Sequence, residues 1–504
     1  MSSHVFGFSS LKQIQLSTQL ELASLKLFFI LFLFSSINGY SQGITQSLHN
    51  RKHPSDSSKF PEAEVYVIEH IIIEGNKVTK PAIILRELSF KEGDTLVVDS
   101  TEFKDILLKC KNNVINTSLF TVVFLTYKKN PNNGVEINIK VEERLYTWPT
   151  PVFENADRNF NVWWQSKNFS RLNYGLYVTR YNFRGRNETV SLNLQTGYTK
   201  NFTLSYSVPY ISKQKNLGMG FSIKFSENNE FPFETESNKL VFYKNNVDVI
   251  RKIFQTGIKF SYRDGIYYTH RSSLNYNTVW ISDTIFKLNP NYLNNGTNKQ
   301  TYIAMDYQFD MDYRNVKAYP LKGYYFGFVV GTYQTGIKTN FNTSYLVSAF
   351  NKYNQLFERI YFGASIKGKL SSPGAQAYFN QRALGYGNDL VRGYAYYVVD
   401  GQNYGLLKTN LKYELVKPRI IKANFIPFDK FKTIPFAIYF NIFGDAGYVN
   451  DKYTFQNNNL ANTLLYGSGI GIDYVTYYDM VLRIEYSINK FGETGFFLNF
   501  NATL

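Results

Sequence analysis

The 504-residue chain is 44% hydrophobic and 17% aromatic, with 43 Phe and 41 Tyr against 5 Met and 1 Cys, a composition that suits sheet rather than helix. A single cysteine excludes an internal disulfide framework. The formal net charge of +16 is spread along the chain instead of gathering on one stretch, so nucleic acid is not an expected partner.

The first element is an apolar run at residues 27–34, preceded by Lys26 and followed by small and polar residues. A membrane helix needs about 20 apolar residues; this run is too short and reads as the core of a secretory signal peptide covering residues 1–41, with Gly39 and Ser41 fitting cleavage before Gln42. Residues 42–63 are polar and read as a linker. Residues 65–74 are β-branched and close on Gly75-Asn76, a strand and its turn. Thr79 and Pro81 open a helix carrying Ile84, Leu85 and Leu88, stopped near Gly93. A second helix, capped by Asp99 or Ser100, sets Phe103, Ile106, Leu107, Cys110 and Val114 on one face, which makes Cys110 a core thiol. Residues 121–127 are strand again, and Val135, Ile137, Ile139 and Val141 alternate with polar neighbours. The result is a β-α-α-β-β unit over residues 64–145, large enough for its own small core.

After Trp148-Pro149 the helical signal gives way to period-two alternation that continues to the end of the chain. Candidate strands fall at 171–181, 187–197, 201–208, 215–226, 236–245, 251–263, 265–277, 300–312, 321–334, 343–353, 358–369, 404–415, 433–444, 464–476, 479–488 and 495–504, sixteen in all. Long connections fall near 278–299, 370–403 and 445–463. A water-soluble sandwich would show the same alternation. The aromatic load near strand ends, the length of the repeat and the export signal favour a sixteen-stranded antiparallel transmembrane β-barrel over residues 150–504.

With "IEHIIIEGNKVTKPAIILREL", "DYRNVKAYPLKGYYFGF" at 312–328 and Val391-Arg392-Gly393-Tyr394 in place, the chain resembles the Omp85 superfamily, of the BamA/TamA and surface antigen D15 type. The N-terminal unit is similar to a POTRA domain, and Val391-Arg392-Gly393-Tyr394 is similar to the family's sixth extracellular loop. The resemblance implies that this loop folds into the lumen and that Arg392 pairs with acids on the wall. Asp445, in a motif with Gly444 and Gly447, and Glu414 are the implied partners. Alternation independently turns both acids inward, since Asp445 shares a face with Asn441, and Glu414 with Lys408 and Lys412. "ETGFFLNF" resembles a closing-strand signal carried by Gly495, Leu498 and Phe500. Only one POTRA-like unit is visible, where the central insertase of the family has several, and the two POTRA domains and plug helix of two-partner transporters are not evident.

The resemblance implies an outer-membrane protein, its POTRA-like unit in the periplasm, that inserts or secretes client proteins through a seam between the first and last strands, near 172–181 and 495–504. Its partners would be unfolded outer-membrane or secreted clients, periplasmic or lipoprotein subunits, and outer-membrane lipids. No cofactor, metal or enzymatic activity is expected. His270 with Ser272 and Ser273 offers the only hint of a nucleophile and base, yet three neighbours on a strand cannot share a side; His4, His49, His53 and His70 lack metal spacing. A passive channel is the alternative.

Overall fold

The computed structural model describes residues 63–500 apart from 133, 156–159, 213, 294–295, 336–341, 423–432, 454–457 and 477–479. The expected signal peptide, the linker up to residue 62 and the last four residues lie outside the described residues.

The N-terminal unit is built from β1 (Glu64–Glu74), α1 (Pro81–Leu85), β2 (Thr95–Val98), α2 (Ser100–Ile115), β3 (Phe120–Lys129) and β4 (Gly134–Glu143). Its sheet has the order β2-β1-β4-β3, with β1 and β4 parallel. The short β2 is an addition to the β-α-α-β-β expectation; four residues between a turn and a helix cap give little periodicity to read. Asp99 caps α2, its carboxylate accepting from the backbone N–H groups of Thr101 and Glu102, worth roughly 1 kcal/mol. One face of α2 is sealed against the sheet: Phe103, Cys110 and Val114 are fully buried, and Phe103 stacks on Tyr66 at 4.0 Å.

Sixteen strands form the second sheet, in the order β5 (Thr147–Asn155), β6 (Leu172–Phe183), β7 (Glu188–Gly197), β8 (Thr199–Val208), β9 (Leu217–Asn228), β12 (Arg251–Asp264), β13 (Tyr268–Ile281), β14 (Lys299–Asp312), β15 (Gly323–Thr335), β16 (Asn342–Phe357), β17 (Ile360–Ser372), β20 (Asn403–Lys422), β21 (Thr433–Asn450), β22 (Leu464–Val475), β23 (Val481–Asn489) and β24 (Thr494–Phe500). All neighbours are antiparallel. The count agrees with the expectation although two members differ. The expected strand at 236–245 leaves the wall: Glu230–Glu236 (β10) and Lys239–Lys244 (β11) pair with each other as a free hairpin. Ser237 and Asn238 both have positive φ (49° and 61°) at its turn, the backbone that a two-residue hairpin favours.

The true first strand is β5, which the sequence hides behind Pro149 and Pro151. Proline cannot donate to a ladder and is confined to sheet edges. Tyr146 C=O accepts from Tyr181 N–H at 2.7 Å. Both backbone groups of a strand residue point the same way and alternate along the chain, so even-numbered residues of β5 face β6 and both prolines face the open side. Between β5 and β24 no ladder forms among the described residues. There α3 (Phe160–Ser166) meets β24, where Leu498 N–H donates to the Asn161 side chain at 3.1 Å.

Burial decides between sandwich and barrel. In β20, Leu407, Leu411 and Tyr413 are 40–42% exposed while Lys408, Asn410 and Lys412 are at most 8% exposed. The apolar face is the outer one and the charged face is enclosed, the reverse of a soluble sandwich and the arrangement of a membrane barrel.

The four connections β6–β7, β8–β9, β12–β13 and β14–β15 share one end with the N-terminal unit. Lys80 N–H donates to Gly185 C=O, Asn182 Nδ2 to Thr79 Oγ1 and Asn116 Nδ2 to Asn315 C=O, while Arg86 lies over the Tyr210 ring. Buried Glu87 accepts both terminal nitrogens of Arg263 at 2.6 Å each. Glu87→Ala is expected to loosen this junction by about 1.5–3 kcal/mol, as for a charge-assisted pair. Hydrogen exchange should then rise at residues 79–88 and 182–186 with the barrel strands unchanged.

The opposite end carries the long connections. Over it, α4 (Asp283–Leu288) and the β10–β11 hairpin bury Phe231, Ile281, Ile285 and Leu293. The hairpin tip Asn238 donates to Val398 C=O and accepts from Leu460 N–H, tying three connections together.

Candidate functional site

The loop between β17 and β20, residues 373–402, includes the short pair Arg382–Leu384 (β18) and Val399–Asp400 (β19) and lies against the inner wall. Buried Asp400 accepts from Thr235 and Tyr386 hydroxyls, and burial pushes its carboxyl above the usual range. Asp389 accepts from Lys367 Nζ at 2.7 Å and from the Tyr404 hydroxyl at 2.9 Å, and Lys408 Nζ donates to Asn388 C=O. These contacts deliver the following Val391-Arg392-Gly393-Tyr394 stretch to β20–β23.

Arg392 and Asp445 come together. Arg392 Nε donates to Asp445 Oδ2 at 2.8 Å, Nη2 to Oδ1 at 2.5 Å, and its backbone N–H to Oδ2 at 3.0 Å. Nη1 reaches Asn410 Oδ1 at 2.8 Å, Nη2 reaches Thr409 C=O at 3.1 Å, and the guanidinium lies 3.9 Å from the centre of the Phe443 ring. Arg392 is 5% exposed and Asp445 5%, so the pair is held in a low-dielectric setting by a fork that matches a carboxylate. Glu414 is not part of it: it is buried on the same face and accepts from the Tyr439 hydroxyl at 3.5 Å. Four strand residues, roughly 13 Å, separate it from Asn410, which takes the place expected for it.

The neighbouring glycines give the loop its close approach. Gly393 has φ +94°, and its carbonyl accepts from Asn489 Nδ2. A Cβ on Gly467 would stand 2.0 Å from Arg392 C=O, and one on Gly447 would stand 2.6 Å from Val391 Cγ2. Gly444 has no such neighbour, its nearest being Thr409 Oγ1 at 3.6 Å. Val391 joins Leu384, Val449 and Leu465 in an apolar cluster, and Tyr394 packs edge-on to Phe491. Gly495 fits beneath the Phe497 ring, Leu498 makes the Asn161 contact, and the Phe500 backbone pairs with Leu482.

A second buried pair lies six strand positions farther along the wall, at the level of Tyr439. Asp473 accepts Arg483 Nε at 2.6 Å and Nη2 at 2.8 Å, and also Asn441 Nδ2. From the β14–β15 connection Tyr319 reaches across the interior and donates to Asp473 Oδ2 at 2.7 Å, its ring 4.0 Å from Lys412 Nζ. Sequence reading did not connect these residues. Parity turns each inward, but only the strand register Asp473↔Arg483 brings them together.

His270 donates to or accepts from the Tyr307 hydroxyl at 2.7 Å, whereas Ser273 bonds Asp306, so the three residues of the enzyme hint do not converge. Among the described residues no group of three His, Cys, Asp or Glu could hold a metal ion.

Residues 66–144 match the POTRA family model, described as a surface antigen variable number repeat. The chain carries a POTRA domain. Its POTRA domain precedes the sixteen-stranded barrel and the Arg392 loop. Among solved structures the chain is similar to BamA from Haemophilus ducreyi lacking POTRA domains 1-3, at 16% identity over 84% of this chain and 81% of that one, TM-score 0.47. It is also similar to CdiB from Acinetobacter baumannii, at 14% identity over 86% and 73%, TM-score 0.45. CdiB from Escherichia coli is similar at 10% identity over 92% and 97%, TM-score 0.47. No curated protein is significantly similar in sequence.

Proposed function

We propose that this chain is an Omp85-like outer-membrane protein that inserts or translocates client proteins through a seam between β5 and β24, with the POTRA domain in the periplasm and the long connections at the cell surface. The observation that carries this reading is that β5 and β24 form no ladder with each other among the described residues. Exposed strand edges present backbone donors and acceptors to an incoming strand, and burial of the client's apolar face supplies the drive. No nucleotide is required. Unfolded outer-membrane or secreted proteins are the clients that such an edge takes, with periplasmic or lipoprotein subunits and outer-membrane lipids as further partners. The charged loop packed on the inner wall favours this reading over a passive channel, which needs an open lumen.

The test joins the seam covalently, with cysteine pairs drawn from residues 149–153 and 495–499 in a chain whose Cys110 is buried. Oxidation should abolish assembly of outer-membrane clients, and reduction should restore it. Full activity with the seam closed, together with a large steady conductance that survives deletion of residues 64–144, would instead establish the channel.

A further inference from the structure

The outer face of β8–β14 carries a row of side chains that lies in strand register at the end opposite the POTRA domain. Lys200 stands opposite Glu227, Glu227 opposite Lys252, Lys252 opposite Trp280, and Trp280 opposite Lys299. The next outward row toward the middle of the wall runs Phe202, Phe225, Phe254 and Thr278 in the same register. Lys252 Nζ lies 3.6 Å from Glu227 Oε1 and 5.8 Å from the centre of the Trp280 ring, and Phe225 packs on Phe254 at 4.8 Å. A recess of about 580 Å³ opens between the two rows.

Three lysines against one glutamate leave this row two charges positive. On an outward barrel face a lysine costs several kcal/mol at the bilayer centre and little at the headgroup level, where anionic groups attract it. Lys200, Lys252 and Lys299 are each two strands apart, about 10 Å, so no single phosphate can serve all three. The phenylalanines directly beneath present apolar area where acyl chains begin.

We propose that this recess is a lipid site that takes the phosphate groups of a bis-phosphorylated glycolipid of the outer leaflet, with its acyl chains lying over Phe202, Phe225 and Phe254. The proposal rests on the reading that this end faces the cell surface. Lys252 and Trp280 hold one phosphate-bearing sugar, and Lys200 or Lys299 the other.

The test uses the full chain in detergent and native mass spectrometry with diphosphoryl lipid A, the same lipid stripped of phosphate, and inorganic phosphate. The protein should retain one diphosphoryl lipid. Affinity should fall about tenfold or more on phosphate removal, and equally in K200Q/K252Q/K299Q. Should the triple variant lose its heat-modifiable migration, K252Q alone serves, with an expected loss of about fivefold. Equal binding of the stripped lipid, an unchanged variant, or displacement of the lipid by millimolar inorganic phosphate would overturn the site. Labelling of Lys244→Cys on intact cells by an impermeant maleimide tests the orientation separately: failure there overturns the surface reading, while the detergent result still judges the recess.

Discussion

Arg392→Ala is expected to detach the 388–394 stretch from the wall and to leave most of the protein without heat-modifiable, folded migration. The substitution removes four side-chain hydrogen bonds to Asp445, Asn410 and Thr409, leaving only the backbone one, and strands the Asp445 carboxylate beside Phe443. Breaking one side of a buried pair costs roughly 3–5 kcal/mol, because the remaining charge is left unsolvated. Arg392→Lys keeps the charge but not the two-pronged geometry, and should recover only part of the loss. Arg392→Ala/Asp445→Ala should be less damaging than the sum of the two single changes, since no orphaned charge remains. Protease cleavage within 388–394, scored beside folded migration, checks each variant. Equal folding of Arg392→Ala and the parent would show that the loop is held by its remaining contacts at Asn388, Asp389, Val391, Gly393 and Tyr394, without the ion pair.

Asp473→Ala is the other severe change. It leaves Arg483 and Lys412 enclosed on adjacent parts of the wall and removes the acceptor of Tyr319. A loss of about 3–5 kcal/mol is expected, seen as a lowered urea midpoint in bilayers. Hydrogen exchange should rise at residues 313–322. Tyr319→Phe, which keeps the ring over Lys412 and loses one hydrogen bond, should cost about 1 kcal/mol. The contrast separates the ion pair from the strap. Because Asn116 of the POTRA domain accepts from Lys317 N–H in the same connection, exchange at Asn116 should rise along with that of residues 313–322.

Much of this architecture is legible in residue alternation. In β20 the polar residues Lys408, Asn410, Lys412 and Glu414 could be assigned to one face from sequence, and the structure encloses that face. Alternation reports a face and not a height, however, which is why Glu414 reads as a partner of Arg392 when Asn410 fills that role. It also does not name a strand's partner. Residues 239–244 alternate like a wall strand yet pair with 230–236. Pro149 and Pro151 make β5 look like a connection, because the tolerance of an edge for proline becomes visible only once the edge is known. Asp473 and Arg483 stand ten positions apart in the chain, and their contact depends on a register that composition does not carry.

The two lips of the seam differ in chemistry. Through its middle, β5 offers carbonyls to the open side but no donors at Pro149 and Pro151, whereas β24 has no proline, and its Leu498 N–H is taken by the Asn161 side chain, a contact that an incoming strand would have to displace. Each missing bond removes on the order of 1 kcal/mol of net adhesion. A polypeptide laid along β24 would therefore be gripped, and one laid along β5 would be let go. In the proposed seam mechanism, growth from one lip and release from the other would give the opening a direction, set by two pyrrolidine rings.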